Sequence, residues 1–131
     1  MSADAFKAAV LSGDEAALAD VLAEDVVFRS PAVYKPYEGR EATTLVLRAV
    51  SRVFEDFRYD DRFAGDDADV LLFSARVDDR ELNGIDLLRF DDDGKVRELT
   101  VMIRPLSGLT ALVEAMAREL ERLGVPVPGK A

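Results

Sequence analysis

The sequence predicts an α+β fold: a curved antiparallel sheet wrapped around one long helix, with an extra C-terminal helix. Three observations lead there. Residues 40–56 carry Ala42, Leu45, Val46, Ala49, Val50, Val53 and Phe54 on one broad helical face. Four alternating segments follow with short turns between them, the pattern of a meander. Near the end of the chain, Leu109, Leu112, Val113, Met116, Leu120 and Leu123 form a stripe at helical spacing.

In chain order, residues 3–11 place Phe6, Ala9 and Val10 on one helical face, with Ser2 as the cap. Gly13 stops that helix, and Asp14 caps a second whose buried stripe is Leu18, Val21 and Leu22. A strand over 26–30 ends at Pro31. The loop 31–39 carries Tyr34 and Tyr37, which either guard a pocket mouth or pack the loop onto the long helix. The meander begins over 57–63, where Phe57, Tyr59, Asp61 and Phe63 oppose Arg58, Asp60 and Arg62. Over 69–77, Leu71, Phe73, Ala75 and Val77 make the more apolar face. The strand 81–90 runs into Asp91-Asp92-Asp93-Gly94, an acidic turn without the spaced ligands of an EF-hand. Over 95–104, Leu99, Val101 and Ile103 share a face, and Pro105 ends the strand. The last helix spans 107–123 with Gly124 as its stop, and core or dimer packing is the expected use of its Met116 and leucine stripe. One domain over 1–124 is expected, followed by a disordered tail at 125–131 containing Pro126 and Pro128.

The totals narrow the function classes. A chain of 131 residues buries roughly two-thirds of the surface exposed by its unfolded form. A net charge of −9 with scattered Lys and Arg disfavours nucleic acid and anionic membranes as partners. Without cysteine there is no disulfide framework or thiolate chemistry, and without histidine there is no imidazole base or Ser-His-Asp triad. Acid–base chemistry falls to Asp, Glu, Tyr, Lys or bound water. No cofactor or metal is expected. Apolar runs are far too short for a membrane span and residues 1–11 lack a basic leader pattern, so the chain is expected to be soluble and cytoplasmic.

Asp86 is the polar exception in Ile85-Asp86-Leu87-Leu88-Arg89-Phe90. A period of two puts it on the face of Leu82, Gly84, Leu88 and Phe90. An ionised carboxylate there costs several kcal/mol, roughly, unless it is paired, hydrogen-bonded or protonated. It is therefore either a pocket acid or a structural strut tied to amides, Tyr59 or an Arg. Asp61 lines the same cavity if its strand's odd face points inward, though a bend reaching water is the favoured reading. The opposite face of the late strands is also apolar, with Ile85, Leu87 and Met102, and needs a second subunit or the final helix as cover.

Five segments carry a further signal: Ser12-Gly13-Asp14, Glu24-Asp25-Val26-Val27-Phe28, Pro31, Tyr37-Glu38-Gly39-Arg40-Glu41, and Ile85 to Phe90 followed by Asp93-Gly94-Lys95-Val96. Together they resemble the nuclear transport factor two-like superfamily, which includes ketosteroid isomerases, polyketide-cyclase-like (SnoaL-like) proteins and limonene-epoxide hydrolases. The likeness runs to about Pro105. It implies a cone-shaped, cystatin-like roll with a hydrophobic pocket, commonly dimerised through the sheet. In ketosteroid isomerases the base is an Asp directly before the proline after the first strand. A first-helix Tyr and a protonated strand Asp form the oxyanion hole. Here those positions are Ser30, Phe6 and Asp86, so only the strand carboxylate matches. Arg76-Val77-Asp78 echoes the Arg-x-Asp pair of the epoxide hydrolases, but it faces away from the apolar side and reads as a solvated rim pair. Arg104 is read as an anchor for the last helix.

The resulting expectation is a homodimer whose apolar pocket, lined by Phe6, Phe28, Ser30, Tyr59, Phe73, Asp86 and Ile103, holds a small hydrophobic molecule. Loss of the base favours binding or association without turnover. The alternative is an isomerase, cyclase or hydrolase with Asp86 as acid or polariser and an ordered water as proton carrier.

Overall fold

The computed structural model describes residues 3–125, so Ser2 and the prolines at 126 and 128 lie outside the described residues. Four helices and six strands follow in the order α1 (Ala3–Ser12), α2 (Glu15–Val21), β1 (Leu22–Arg29), β2 (Tyr37–Glu38), α3 (Arg40–Val53), β3 (Glu55–Ala64), β4 (Asp69–Val77), β5 (Arg80–Phe90), β6 (Val96–Arg104) and α4 (Leu106–Leu123). The strands form one curved, open sheet in the order β2-β1-β6-β5-β4-β3, with β1 and β6 parallel and the other pairs antiparallel.

Local chemistry explains most boundaries. The Asp14 side chain accepts the Ala16 amide at 3.1 Å and caps α2. Asp91 accepts the amides of Asp93 and Lys95, both at 2.9 Å, and closes the β5–β6 hairpin. Gly124 takes the left-handed conformation at φ 71° and ends α4. Val125, assigned to the tail from sequence, is instead buried, and its N–H closes on the Leu120 carbonyl at 3.0 Å.

Other expectations are corrected. The first strand begins at Leu22, where the chain turns extended directly at the α2 C-cap, and not at Val26. Within the expected loop 31–39, Tyr37 and Glu38 pair with Phe28 and Val27 as a short strand. The long helix stops at Val53 because Phe54 is already extended, so β3 starts at Glu55. Along β3 the register shifts between Tyr59 and Asp61: Tyr59 pairs with Phe73, whereas Asp61 pairs with Leu72 and Phe63 with Val70. A bulge reverses the alternation. Asp61 therefore leaves the face of Tyr59 and is exposed, and Phe63 is 56% exposed.

The core fills the concave side of the sheet. Alternate positions of β4, Asp69, Leu71, Phe73, Ala75 and Val77, are buried there, beside Leu82, Asp86 and Leu88 of β5. Helix α4 packs on this same side: Leu112 joins Phe73, Ala75, Val77 and Leu82. The final helix is therefore no cover for the convex face, where Ile85 and Leu87 remain partly exposed and Met102 is 55% exposed. No helix among the described residues is long and apolar enough to cross a membrane.

Candidate functional site

The concave side does not close completely, and a cavity of about 410 Å³ remains between the sheet, α1, α3 and α4. All seven residues named from the sequence, Phe6, Phe28, Ser30, Tyr59, Phe73, Asp86 and Ile103, line it. Strand register explains the convergence. Tyr59 pairs with Phe73, Phe73 with Gly84 and Gly84 with Ile103, so one row of side chains crosses four strands. Asp86, flanked by Leu71 and Val101, stands in the next row on that face. A Cβ on Gly84 would lie 2.3 Å from the Met102 carbonyl and 3.0 Å from the Phe73 ring, so only glycine lets the Phe73 ring lie over this part of the sheet.

Asp86 is 8% exposed. The Tyr59 hydroxyl donates to its Oδ2 at 3.4 Å, a long bond, and no cation among the described residues bonds the carboxyl. Burial pushes Asp86 up to about 7, against the smaller lowering effect of the Tyr59 hydrogen bond. Around neutral pH a large fraction is thus a neutral acid able to donate a proton or a hydrogen bond. Tyr59 is held protonated, its pKa raised first by burial and then by the charge and hydrogen bond of Asp86. Phe57 meets Tyr59 edge-on at 4.9 Å and Phe73 at 5.4 Å, which fixes the phenol ring and keeps this end apolar.

Ser30 does not complete an acid–base pair. Its Oγ accepts the amides of Ala32 and Val33 at 3.1 and 3.3 Å and holds the turn after β1. Arg76 and Asp78 lie away from the cavity, as expected of a rim pair, but their bonding differs. The Arg76 guanidinium pairs with Glu55 at 3.1 Å and with Asp56, and its Nε donates to the Asp78 backbone carbonyl at 3.1 Å. Arg104, expected to anchor α4, instead donates to Asn83 Oδ1 of β5 at 3.1 Å and has no hydrogen bond to α4 among the described residues. Tyr34 stands fully in solvent.

Several lining residues were missing from the sequence-based set. Tyr37 is 5% exposed and stacks on Phe28 with centroids 5.7 Å apart. Phe54, Phe57, Leu112 and Met116 also line the cavity. The aromatic residues at the α3–β3 junction were a usable signal; for Tyr37, inside a short irregular segment, no periodicity was available.

Residues 3–99 match the SnoaL-like domain model. The chain belongs to the SnoaL-like family, within the nuclear transport factor two-like superfamily. Among solved structures it is similar to a steroid delta-isomerase from Pseudomonas aeruginosa, with 45% identity, coverage of 91% of this chain and 88% of that one, and a TM-score of 0.85. An uncharacterised bacterial protein with a cystatin-like fold from Silicibacter pomeroyi is 31% identical over 94% of this chain and 92% of its own, with a TM-score of 0.83. A protein of unknown function with a cystatin-like fold from Xanthomonas campestris is 26% identical, covering 84% and 93% respectively, with a TM-score of 0.68. No curated protein matches the chain.

Proposed function

We propose that this SnoaL-like protein binds a small, rigid, mostly apolar ketone or phenol, whose oxygen accepts a hydrogen bond from neutral Asp86. The observation that carries the reading is a buried carboxyl beside the Tyr59 phenol at a part of the cavity walled by Phe57, Phe73, Val101 and Ile103, while the polar lining residues Asp14, Glu15, Arg48 and Ser51 come from α3 and the α1–α2 junction. A single donor fixes orientation while apolar area supplies affinity. The volume of about 410 Å³ suits a molecule of steroid or terpenoid size. A phosphate or sugar would leave many polar groups unpaired. We infer further that the protein acts as a homodimer joined through the convex face, which no helix among the described residues covers.

A second reading, isomerisation of a keto compound, is favoured by the 45% identity to the Pseudomonas steroid delta-isomerase. Asp86 would stabilise the enolate oxygen. The proton carrier is the weak point, because Ser30 is a turn-forming hydroxyl with no basic partner.

One experiment addresses both readings. A thermal-shift screen should show stabilisation by apolar ketones and phenols and none by charged metabolites, and Phe73→Trp should abolish it by filling the cavity. Androst-5-ene-3,17-dione is then followed by the ultraviolet absorbance of the conjugated product. Wild type should turn over poorly and Ser30→Asp at least tenfold faster, since the new carboxylate stands where a base is needed. Stabilisation by anions alone, or ketone binding indifferent to Phe73→Trp, would remove the binding reading. Efficient turnover by wild type would replace it with the isomerase.

A further inference from the structure

The residues that line the cavity and also stand exposed mark where it opens. They are Leu11, Gly13, Asp14 and Glu15 at the α1–α2 junction, Ala32 after β1, and Val113 on α4. Asp14 and Glu15 also line a surface groove beside α2, β1 and α3, so they stand between the interior and the outside. Arg48 of α3 lines the cavity as well, and pairs with Glu15 Oε1 through its Nη1 at 3.1 Å. One ion pair thus ties α2 to α3 at the rim. The rest of the α2 and α3 lining is apolar, with Leu18, Val46, Leu47 and Val50, apart from Ser51. The Ser51 hydroxyl is taken up by the Arg48 carbonyl at 2.7 Å.

The pair has the strength of a latch and not of a strut. Arg48 and Glu15 keep 40% and 47% of their side chains in water. Exposed pairs of this kind bias an equilibrium by about two- to fivefold, enough to favour one state and too little to lock it. A second acid stands on the α4 side. Glu119 has its carboxyl held below the usual range, first by the hydrogen bond from Arg122 and in smaller part by the charges of Arg52 and Arg48. Arg48 therefore lies in the field of two acids, Glu15 on α2 and Glu119 on α4. Its long side chain has an arrangement toward each, and only the first bridges α2 and α3.

We propose that the Glu15–Arg48 pair is a gate, which narrows the cavity mouth between α2 and α3 when made and opens it when Arg48 leaves Glu15. The gate concerns entry and exit and holds for whatever the cavity takes. Its signature is an access rate that rises with ionic strength, because salt screens the pair.

The chain has no cysteine, so one introduced thiol reports access without background. Val46 is buried and lines the cavity, whereas Val26 is buried and does not. Cysteine behaves as a small hydrophobe and suits both positions. Alkylation of Val46→Cys and Val26→Cys by N-ethylmaleimide, a neutral reagent, is timed at fixed pH by mass spectrometry. Raising salt from about 0.02 M to about 0.5 M should speed Val46→Cys about two- to fivefold and leave Val26→Cys unchanged. Glu15→Gln and Arg48→Gln, each added to Val46→Cys, should give the same gain at low salt and remove the salt dependence. Losing Glu15 favours the thiolate and losing Arg48 disfavours it, so a gain shared by both reports access and not reactivity. The salt comparison needs neither variant, so a folding defect in one does not remove the test. Alkylation of Val46→Cys that is indifferent to salt, accelerated by one variant only, or accelerated equally at Val26→Cys would overturn the gate. No cavity ligand enters this experiment, so its failure leaves the ketone reading to its own screen.

Discussion

Asp86 and Arg76 stand on neighbouring strands of one sheet, and each interrupts a run of apolar residues, yet the two faces treat them differently. Arg76 faces outward, keeps 37% of its side chain in water and finds two acidic partners in Glu55 and Asp56. Solvent and partners together make its charge inexpensive and its contribution small. Asp86 faces inward among Leu71, Leu88 and Val101, with one long bond from Tyr59 as its only polar support among the described residues. There the charge itself is disfavoured, and the group answers by holding its proton. Motif spacing singles out Arg76 and Asp78 as readily as Asp86; the face of the sheet is what separates a solvated charge from a buried acid that holds its proton.

The largest consequence of that difference is a pH dependence. Asp86 titrates at about 7 in the fold against an ordinary 3.8, so the folded state holds the proton more tightly than the unfolded chain. Its favourable contribution is complete below the ordinary value and is lost as pH rises through about 7, a span worth roughly 4 kcal/mol. About 2 kcal/mol of this falls between pH 5.5 and 8. Asp86→Asn removes the titration while keeping the shape. Urea melts across that range should show wild type losing stability relative to the variant by about this amount. A difference that stays flat, or an Asp86→Asn variant less stable than wild type at pH 8, would mean that Asp86 is an ionised strut after all.

The floor of the concave face gives the next effect. Gly84→Ala adds one methyl where the Met102 carbonyl is 2.3 Å away, and backbone cannot step aside as a flexible side chain would. A loss of about 3 kcal/mol is expected at neutral pH, with weaker ketone binding as the Phe73 ring is pushed into the cavity. A variant within a few tenths of wild type in denaturant would show that β5 and β6 separate easily here.

How much of this was legible in the sequence follows from periodicity. The strand 69–77 alternates and its bounds agree with the sequence to the residue, and Asp86 stands out because it is the lone carboxylate in an otherwise apolar run. Phe6, Phe28, Phe73 and Ile103 share one cavity because each sits on the apolar face of a regular element. What was lost lies where regularity breaks. The bulge after Tyr59 reverses the parity: it leaves Asp61 in water, as the favoured reading had it, but turns Phe63 outward from the face that the alternation gave it. Tyr37 belongs to a strand of two residues, too short to show a period. Ser30 matches the family's position before the proline, but only its bonds to two amides reveal a turn-former. The side of the sheet taken by the last helix was open too, since its stripe fits either face.

The smallest effect on the fold concerns the convex face. Met102 is 55% exposed, with Ile85 paired beside it and Leu87 two residues further along β5. If a second copy covers this stripe, Met102→Glu puts a charge against its symmetry mate's apolar surface, where desolvation is costly. In a monomer the same glutamate would sit in water and change little. Sedimentation should therefore show wild type as a dimer at tens of micromolar and Met102→Glu as a monomer, with helical content and the pH profile of Asp86 preserved. That last condition separates the two faces, because the acid is set by concave burial and not by the partner. A monomeric wild type would leave the convex stripe bare. A pH profile that moves with Met102→Glu would show the faces to be coupled through the sheet.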